Sequence, residues 1–514
     1  MATSTKKRDL KQNRDILDSI KSKTKEIIQN RKKVNHIIDI QLCLENDENA
    51  VVVASVKALE TIFSHLATSG LMPEKGPPLE TEAEKKIREW SRERYQDYQE
   101  KLFALLAADQ VSHQELALVT LMHFLQIEGQ YPIQKMPEGK EQVFALDLLE
   151  KIIQHMLSLE AKASTPVLTR FQEFMEYEDV LFHLLRVLKT IMKSQSEVDE
   201  KFLRNLVHLL EHITLHNKAS AKTDDKRKLF CPELAIFQWN YRLAKQYFSF
   251  VWQQLMKNQL TPNLYKRVLV ILPDKVIPHL EKPLLLTDFL MTSYNIGGAV
   301  SILALHGVFL LMQGHNLEYP DFYTKLYALL EPGVLFVKHR PRFFYLLDLF
   351  MTSTHVPEYI AAAFAKRLSR LALIAPPNVI VMLLHFIGNL MVRHRGLVKL
   401  MHNPDNQNDV SNDPFVMEET NLMACNATES SLWEIKTLQS HVLPEIAYTA
   451  KFIDRDLPKT EWDISQDLEL TMEELLEKEL KRKHSEEDVP INFEKPTKFA
   501  CVKHDKLSEF FEFV

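Results

Sequence analysis

Glycine is scarce in this chain, with 11 residues in 514, where average usage near 7 % would give roughly 36. Sheet-rich folds rely on glycine for hairpin turns, and phosphate-cradling loops rely on it for close approach of backbone to ligand, so both are poor solutions for this sequence. A chain of helices needs little glycine. The 46 % hydrophobic and 26 % charged content is that of a folded, soluble protein, and the length suffices for about two to four domains.

Helical spacing runs through most of the sequence. After Thr81 and Glu84, a capping-box pair, the apolar positions Ile87, Trp90, Tyr95, Tyr98, Leu102 and Leu105 follow among charges. The pattern predicts further helices over Glu115–Ile127, Gln142–Leu159, Val167–Lys193 and Glu197–His216. Ala219–Lys228 reads ASAKTDDKRK, has no apolar period and is expected to be a linker. Beyond it Pro232 takes a first-turn position, and Leu234, Phe237, Tyr241, Ala244, Phe248, Val251 and Leu255 recur at spacings of 3 and 4. Trp239, Tyr247, Phe250 and Trp252 lie largely off that stripe, which predicts a second covered face, as in stacked helix pairs.

Met401–Ser430, rich in Asn, Asp and Glu, reads as a long exposed loop. Thr471 and Glu474 form a second capping box, opening a helix that ends in Lys481, Arg482 and Lys483. The residues after it read as an arm, with Phe510, Phe511 and Phe513 as possible anchors. Helix pairs recur at about forty-residue spacing, as divergent HEAT-like units would. The expected organisation is a basic helical region at 1–80, helical repeats at 81–218 and a linker at 219–229. A helical domain at 230–455 follows, with its exposed acidic loop at 403–430, and then a C-terminal helix and tail at 456–514. The fold class is all-α: a HEAT-like helical-repeat solenoid with a flexible acidic loop and a C-terminal arm.

Charge is unevenly placed around a net value of −6. Met1–Lys33 holds eleven Lys and Arg against four acids, whereas Glu461–Glu479 holds eight acids and one Lys. The basic groups Lys6, Lys7, Arg8, then Arg31, Lys32, Lys33, and finally Lys481, Arg482, Lys483 are candidate nuclear-import signals, with solvated helix ends as the plain alternative. An acidic total argues against indiscriminate RNA coating, because nonspecific affinity comes from phosphate neutralisation, so any nucleic-acid contact is expected to be local. The four cysteines form no CxxC unit, and without a recognisable secretory leader a reducing compartment is expected. The Asn426-Ala427-Thr428 triplet carries no weight as a glycosylation acceptor in that setting.

Two apolar runs imitate membrane spans. Ile296–Met312 is 17 residues long and includes Ser301 and His306, and Val379–Val392 is 14 long and includes His385 and Asn389. A span takes about 20 apolar residues, so both are expected to be buried helices. A multi-pass protein of the nuclear membrane stays as an alternative.

No GxGxxG, Walker, GxSxG or HExxH pattern occurs. The best enzymatic lead is His208-Leu209-Leu210-Glu211-His212, an HxxEH pattern of inverted zinc peptidases. At 100° per residue, however, His208, His212 and His216 form a stripe opposite the apolar face of Leu203, Leu206, Leu210 and Ile213, and a catalytic zinc needs a walled cleft. No enzyme, metal or cofactor is therefore expected. A set of basic clusters is more suggestive: Lys338, Arg340 and Arg342, then Lys366, Arg367 and Arg370, then Arg393, Arg395 and Lys399, spaced about 27 residues apart. Successive solenoid units could align them along one edge to grip RNA phosphate or an acidic partner segment, with solvated charge as the plain alternative.

Three blocks carry a family resemblance. Tyr319–Tyr327 reads YPDFYTKLY, Arg342, Phe343, Phe344, Asp348 and Leu349 follow, and Ala361–Pro377 reads AAAFAKRLSRLALIAPP. With Asp413-Pro414-Phe415 and Ser431-Leu432-Trp433-Glu434 downstream, the chain resembles the nucleolar-complex, CCAAT-binding-factor family, most strongly across Leu260–Pro444. The resemblance implies a non-catalytic assembly factor of the small ribosomal subunit, located in nucleus and nucleolus. It also implies membership of the small-subunit processome and stable pairing with nucleolar protein 14, in support of pre-rRNA processing and subunit export. The older family name keeps a DNA-binding transcriptional regulator as an alternative, although no zinc finger, basic zipper or recognition helix is present. Phe322, Tyr323, Phe343, Phe344 and Phe364 are expected in the core.

Overall fold

The computed structural model of the chain describes residues 2–30, 33–46, 48–73, 82–133, 144–194, 199–215, 228–232, 237–353, 355–402 and 413–481. Among the described residues the only regular secondary structure is helical, as the glycine scarcity requires. The helices gather into two compact units that divide between Phe322 and Tyr323.

The first unit is built as two rows. α1 (Ala2–Gln29), α3 (Asn49–Thr68), α5 (Val111–Gln130), α7 (Ala161–Gln172) and α9 (Glu200–Leu210) pack successively, each on the one before. α2 (His36–Leu42), α4 (Glu82–Leu106), α6 (Leu146–Ser158), α8 (Glu178–Ser194) and α10 (Tyr241–Met256) form the second row in the same manner. Each helix meets the helix two places along the chain, which is the neighbour relation of a helical-repeat stack, in which one repeat cannot bury its apolar face alone. α11 (Pro262–Ile271) continues the first row to α13 (Gly298–His315), against which α12 (Thr287–Tyr294) also packs.

Aromatic and polar side chains lock neighbouring layers. Tyr98 is stacked on Phe63 at 5.5 Å and donates its hydroxyl to the Val56 carbonyl at 2.9 Å, so a buried phenol is satisfied across two helices. Tyr95 and Gln99 donate to the half-buried Glu128 carboxyl at 2.7 and 3.1 Å, and desolvation raises the pKa of that acid. Asn205 donates to the carbonyls of Leu157 (3.0 Å) and Leu159 (2.8 Å), satisfying acceptors that the end of α6 leaves open.

The structure corrects several boundaries. Val167–Lys193 is two helices, α7 and α8, separated by a 3₁₀ turn at Glu173–Glu176. The helix expected from Pro232 begins at Tyr241, where the Asn240 side chain accepts from Leu243 N at 3.1 Å, an N-cap that outranks apolar periodicity as a start signal. The units do not separate at the 219–229 linker. Its described end is held down, since Lys228 O accepts from Glu178 N at 3.2 Å. The Asp179 carboxylate then accepts from Phe230 N at 3.0 Å and Cys231 N at 2.8 Å. The Thr81–Glu84 capping box lies partly outside the described residues.

Among the described residues two helices, Asn49–Thr68 and Gly298–His315, are long and apolar enough to cross a membrane by length and composition, and Pro377–Arg393 is shorter. Both are used as core. α13 is buried around most of its circumference, from Val300 to Phe309, and its start needs Gly297 and Gly298, whose φ values of +92° and +58° favour glycine.

In the second unit α15 (Arg340–Phe350), α16 (Glu358–Ala372) and α17 (Pro377–Arg393) form the centre. Phe344 is fully buried and meets Phe343 at 5.3 Å and Phe386 at 6.4 Å. Phe343 and Phe364 are buried in the same unit, and Tyr323 is half-buried with its hydroxyl on Phe350 O at 3.5 Å. Around α17 pack α20 (Pro444–Thr449), α21 (Ser465–Glu469) and α22 (Met472–Lys481), while α19 (Trp433–Leu438) lies on α16. The described part of the expected exposed loop, 413–430, keeps most of its positions exposed but is anchored by the buried Phe415, Leu422, Cys425 and Ala427.

Candidate functional sites

The second unit closes around an ionic cluster. Lys366 sits mid-helix in α16 at 0 % exposure, with Nζ 2.8 Å from Asp413 Oδ2, 2.7 Å from Glu434 Oε1 and donating to Ser431 O at 2.5 Å. Arg370, one turn along on the same face, donates to Asp413 Oδ2 at 2.7 Å and places Nε 2.8 Å from Glu434 Oε1. Ser430 Oγ and the indole of Trp433 also donate to Asp413, at 2.5 and 2.8 Å. Two cations and two carboxylates thus share one low-dielectric pocket, the condition under which buried charge is tolerated.

Burial pushes the Asp413 carboxyl up, but the hydrogen bonds from Lys366, Ser430, Trp433 and the Phe415 N–H outweigh it and hold the group well below the usual carboxylate range. At Glu434 burial wins over Lys366 and raises the pKa. Arg367 works beside the cluster, donating to Leu330 O at 2.8 Å and Met417 O at 2.9 Å with its guanidinium 4.5 Å from the Tyr327 ring centre. The whole set is a latch: three α16 cations fasten 413–434 onto the helix.

This placement corrects the basic edge. Lys366, Arg367 and Arg370 are spent on the chain itself, and Lys366 has no surface with which to meet RNA or a partner. Arg393 is likewise internal, 2.7 Å from Asp348 and 2.6 Å from Glu461. Burial works against its charge, but the two carboxylates hold its pKa above the ordinary value. Arg340 is half-buried and reaches Leu335 O at 3.5 Å. Lys338, Arg342, Arg395 and Lys399 are exposed. Of nine expected positions, four keep the accessibility that binding needs.

A second polar ladder lies on α17. Asn378, His385, Asn389 and Arg393 are spaced 7, 4 and 4 apart and share a face. Asn378 donates to Leu470 O at 2.8 Å, and His385 Nδ1 is 2.6 Å from Asp467. Asn389 both donates to Trp462 O (2.9 Å) and accepts from Trp462 N (2.8 Å), while Arg393 holds Glu461. Segment 461–470 is therefore strapped along α17. Gly388 makes room for it, since a Cβ there would stand 2.5 Å from the Trp462 ring.

The histidine stripe is occupied otherwise. Glu211 of the HxxEH pattern takes both arms of Arg267, at 2.8 and 2.6 Å. His208 and His212 lie 5.6 Å apart by ring centres with pKa values lowered by burial, and His216 is outside the described residues. Among the described residues no group of three or more His, Cys, Asp and Glu converges on a metal-sized site. Of the import candidates, Lys33 and Lys481 pair on the surface with Glu26 (2.8 Å) and Glu477 (3.1 Å). Lys6, Lys7 and Arg8 belong to the backbone of α1, and Arg31, Lys32, Arg482 and Lys483 lie outside the described residues.

Stacked helical layers, a latched second unit and aromatic side chains committed to packing define a helical-repeat protein. Comparison with known proteins narrows the class. Residues 301–450 match the CBF/Mak21 family, and residues 11–197 match the family described as Nucleolar complex protein 4-like, TPR repeats. The chain is 38 % identical to Nucleolar complex protein 4 homolog B of Xenopus laevis, covering 96 % of this chain and 95 % of that one. It is 37 % identical to the Gallus gallus homolog, covering 94 % and 97 %, and 35 % identical to the Homo sapiens homolog, covering 91 % and 92 %. The chain belongs to the nucleolar complex protein 4 family. The latch residues Lys366, Arg370, Asp413 and Glu434 all fall inside the CBF/Mak21 match.

Proposed function

We propose that this chain is a non-catalytic assembly factor of small ribosomal subunit biogenesis, acting in the nucleolus as a helical scaffold of the small-subunit processome. In this reading it pairs stably with nucleolar protein 14 and supports pre-rRNA processing and export of the subunit. The observation that carries the proposal is the near-full-length similarity to nucleolar complex proteins. The packing adds to it: the strongest polar constellation in the described residues is structural, which suits a body that presents surfaces. The exposed Lys338, Arg342, Arg395 and Lys399 are the positions proposed to meet a partner or a local stretch of pre-rRNA, since exposed surface cations steer anionic ligands.

The test is affinity purification of the tagged full chain from nucleoli. Nucleolar protein 14 should be recovered in near-stoichiometric amount together with precursors of the small-subunit rRNA. Recovery with large-subunit precursors alone overturns the assignment, and recovery of the precursors without nucleolar protein 14 overturns the pairing.

A further inference from the structure

α22 presents an exposed apolar stripe and is seated on the second unit by one buried side chain. Met472, Leu476 and Leu480 are 50, 56 and 76 % exposed, and at 100° per residue they fall within one narrow sector of the helix. Leu475 alone is buried, about 100° away from that sector's centre. The helix start is fixed by a reciprocal capping box, Thr471 N to Glu474 at 3.1 Å and Glu474 N to Thr471 Oγ1 at 3.2 Å. The preceding strap is pinned to α17 by Asn378, His385, Asn389 and Arg393. An exposed apolar stripe on a helix whose direction is already set is the arrangement that lets an amphipathic helix enter a groove at low ordering cost.

Charge selects the occupant. Glu473 and Glu477 border the stripe on one side and Glu479 on the other, whereas Lys478 and Lys481 turn away from it by helical geometry. Lys481 neutralises part of Glu477 at 3.1 Å, but Glu473 has no such neighbour among the described residues. We propose that α22 is a docking helix that places Met472, Leu476 and Leu480 in an apolar groove of another protein chain, with Lys or Arg along the groove's rim. Acidic flanks meeting a basic rim set orientation and exclude acidic surfaces. The proposal goes beyond the assembly role and holds whichever ribosomal precursor the chain serves.

The test uses the full chain in cells, with a photo-cross-linking residue in place of Leu476 and, separately, of Met472. Irradiation should link both positions to one segment of a different polypeptide, a segment containing apolar residues flanked by Lys or Arg. Glu473→Lys with Glu477→Lys should lower that cross-link about tenfold while the melting midpoint of the purified chain stays unchanged. Cross-links to residues 482–514 of the same chain, to a second copy, to RNA or to nothing overturn the proposal. A cross-link indifferent to the charge reversal overturns the basic rim.

Discussion

Replacing Lys366 with methionine tests the latch at its centre. Methionine keeps the apolar stem and volume but removes the ammonium, so the contacts to Asp413 (2.8 Å), Glu434 (2.7 Å) and Ser431 O (2.5 Å) vanish together. Asp413 retains Arg370, Ser430, Trp433 and the Phe415 N–H. Glu434, fully buried, is left with Arg370 Nε at 2.8 Å and the Ser369 hydroxyl at 3.3 Å, with no ammonium against it. Stranding a buried carboxylate in this way costs about 3–5 kcal/mol. In a unit of this size each kcal/mol moves the midpoint by about 2–4 °C, so a fall of about 10 °C is expected. Lys366→Met combined with Glu434→Gln removes the stranded charge and should recover about 2 kcal/mol, a coupling typical of one buried network. Thermal and urea unfolding of the full chain, with hydrogen exchange of 413–434 as the local readout, measures both. If Lys366→Met melts with the wild type while capture of the partner is lost, the cluster is a contact surface and the latch is refuted.

Four further outcomes follow from the same geometry. Phe344→Ala should cost about 3–5 kcal/mol as a cavity in the second unit, read by chemical denaturation. Gly388→Leu should displace Trp462 and cost about 1–3 kcal/mol, with faster exchange at 461–470, and unchanged exchange there would refute the strap. His183, stacked on Phe144 at 4.3 Å, has its pKa lowered to about 4, by burial first and then by the nearby Arg186 charge. The unfolded chain takes up this proton near pH 6.5 and the folded chain only near 4, so stability is lost as pH falls through that window, by about 3 kcal/mol for this group, and His183→Phe should flatten the profile. Lys338→Glu with Arg342→Glu should leave the melting midpoint unchanged and weaken recovery of partner or precursor RNA, whereas reversing Arg367 and Arg370 should unfold the second unit.

The helical class was legible because glycine scarcity and spacings of 3 and 4 are local signals. So was the Thr471–Glu474 capping box, which forms with both of its reciprocal bonds. The role of Lys366, Arg367 and Arg370 was not, because a cation's burial depends on partners far away in sequence. Asp413 lies 47 residues from Lys366, and Ser431 lies 65 away. A partial signal did exist: Lys366 follows Ala361, Ala362, Ala363, Phe364 and Ala365, so the turn that precedes it on its own face is small and apolar. Acidic composition at 401–430 suggested solvent, yet Asp413 is there to meet α16. The strap on α17 was hidden for the same reason, since Asn389 reads the backbone of Trp462, which leaves no side-chain pattern to find.

The proposed role ties this chain to the small ribosomal subunit. Depleting the chain and measuring newly made mature rRNA of both subunits by pulse labelling tests it most directly. The account predicts that small-subunit rRNA falls, with its precursors accumulating, while large-subunit rRNA continues to be made. An equal or greater loss of large-subunit rRNA, or no loss of either, would contradict it.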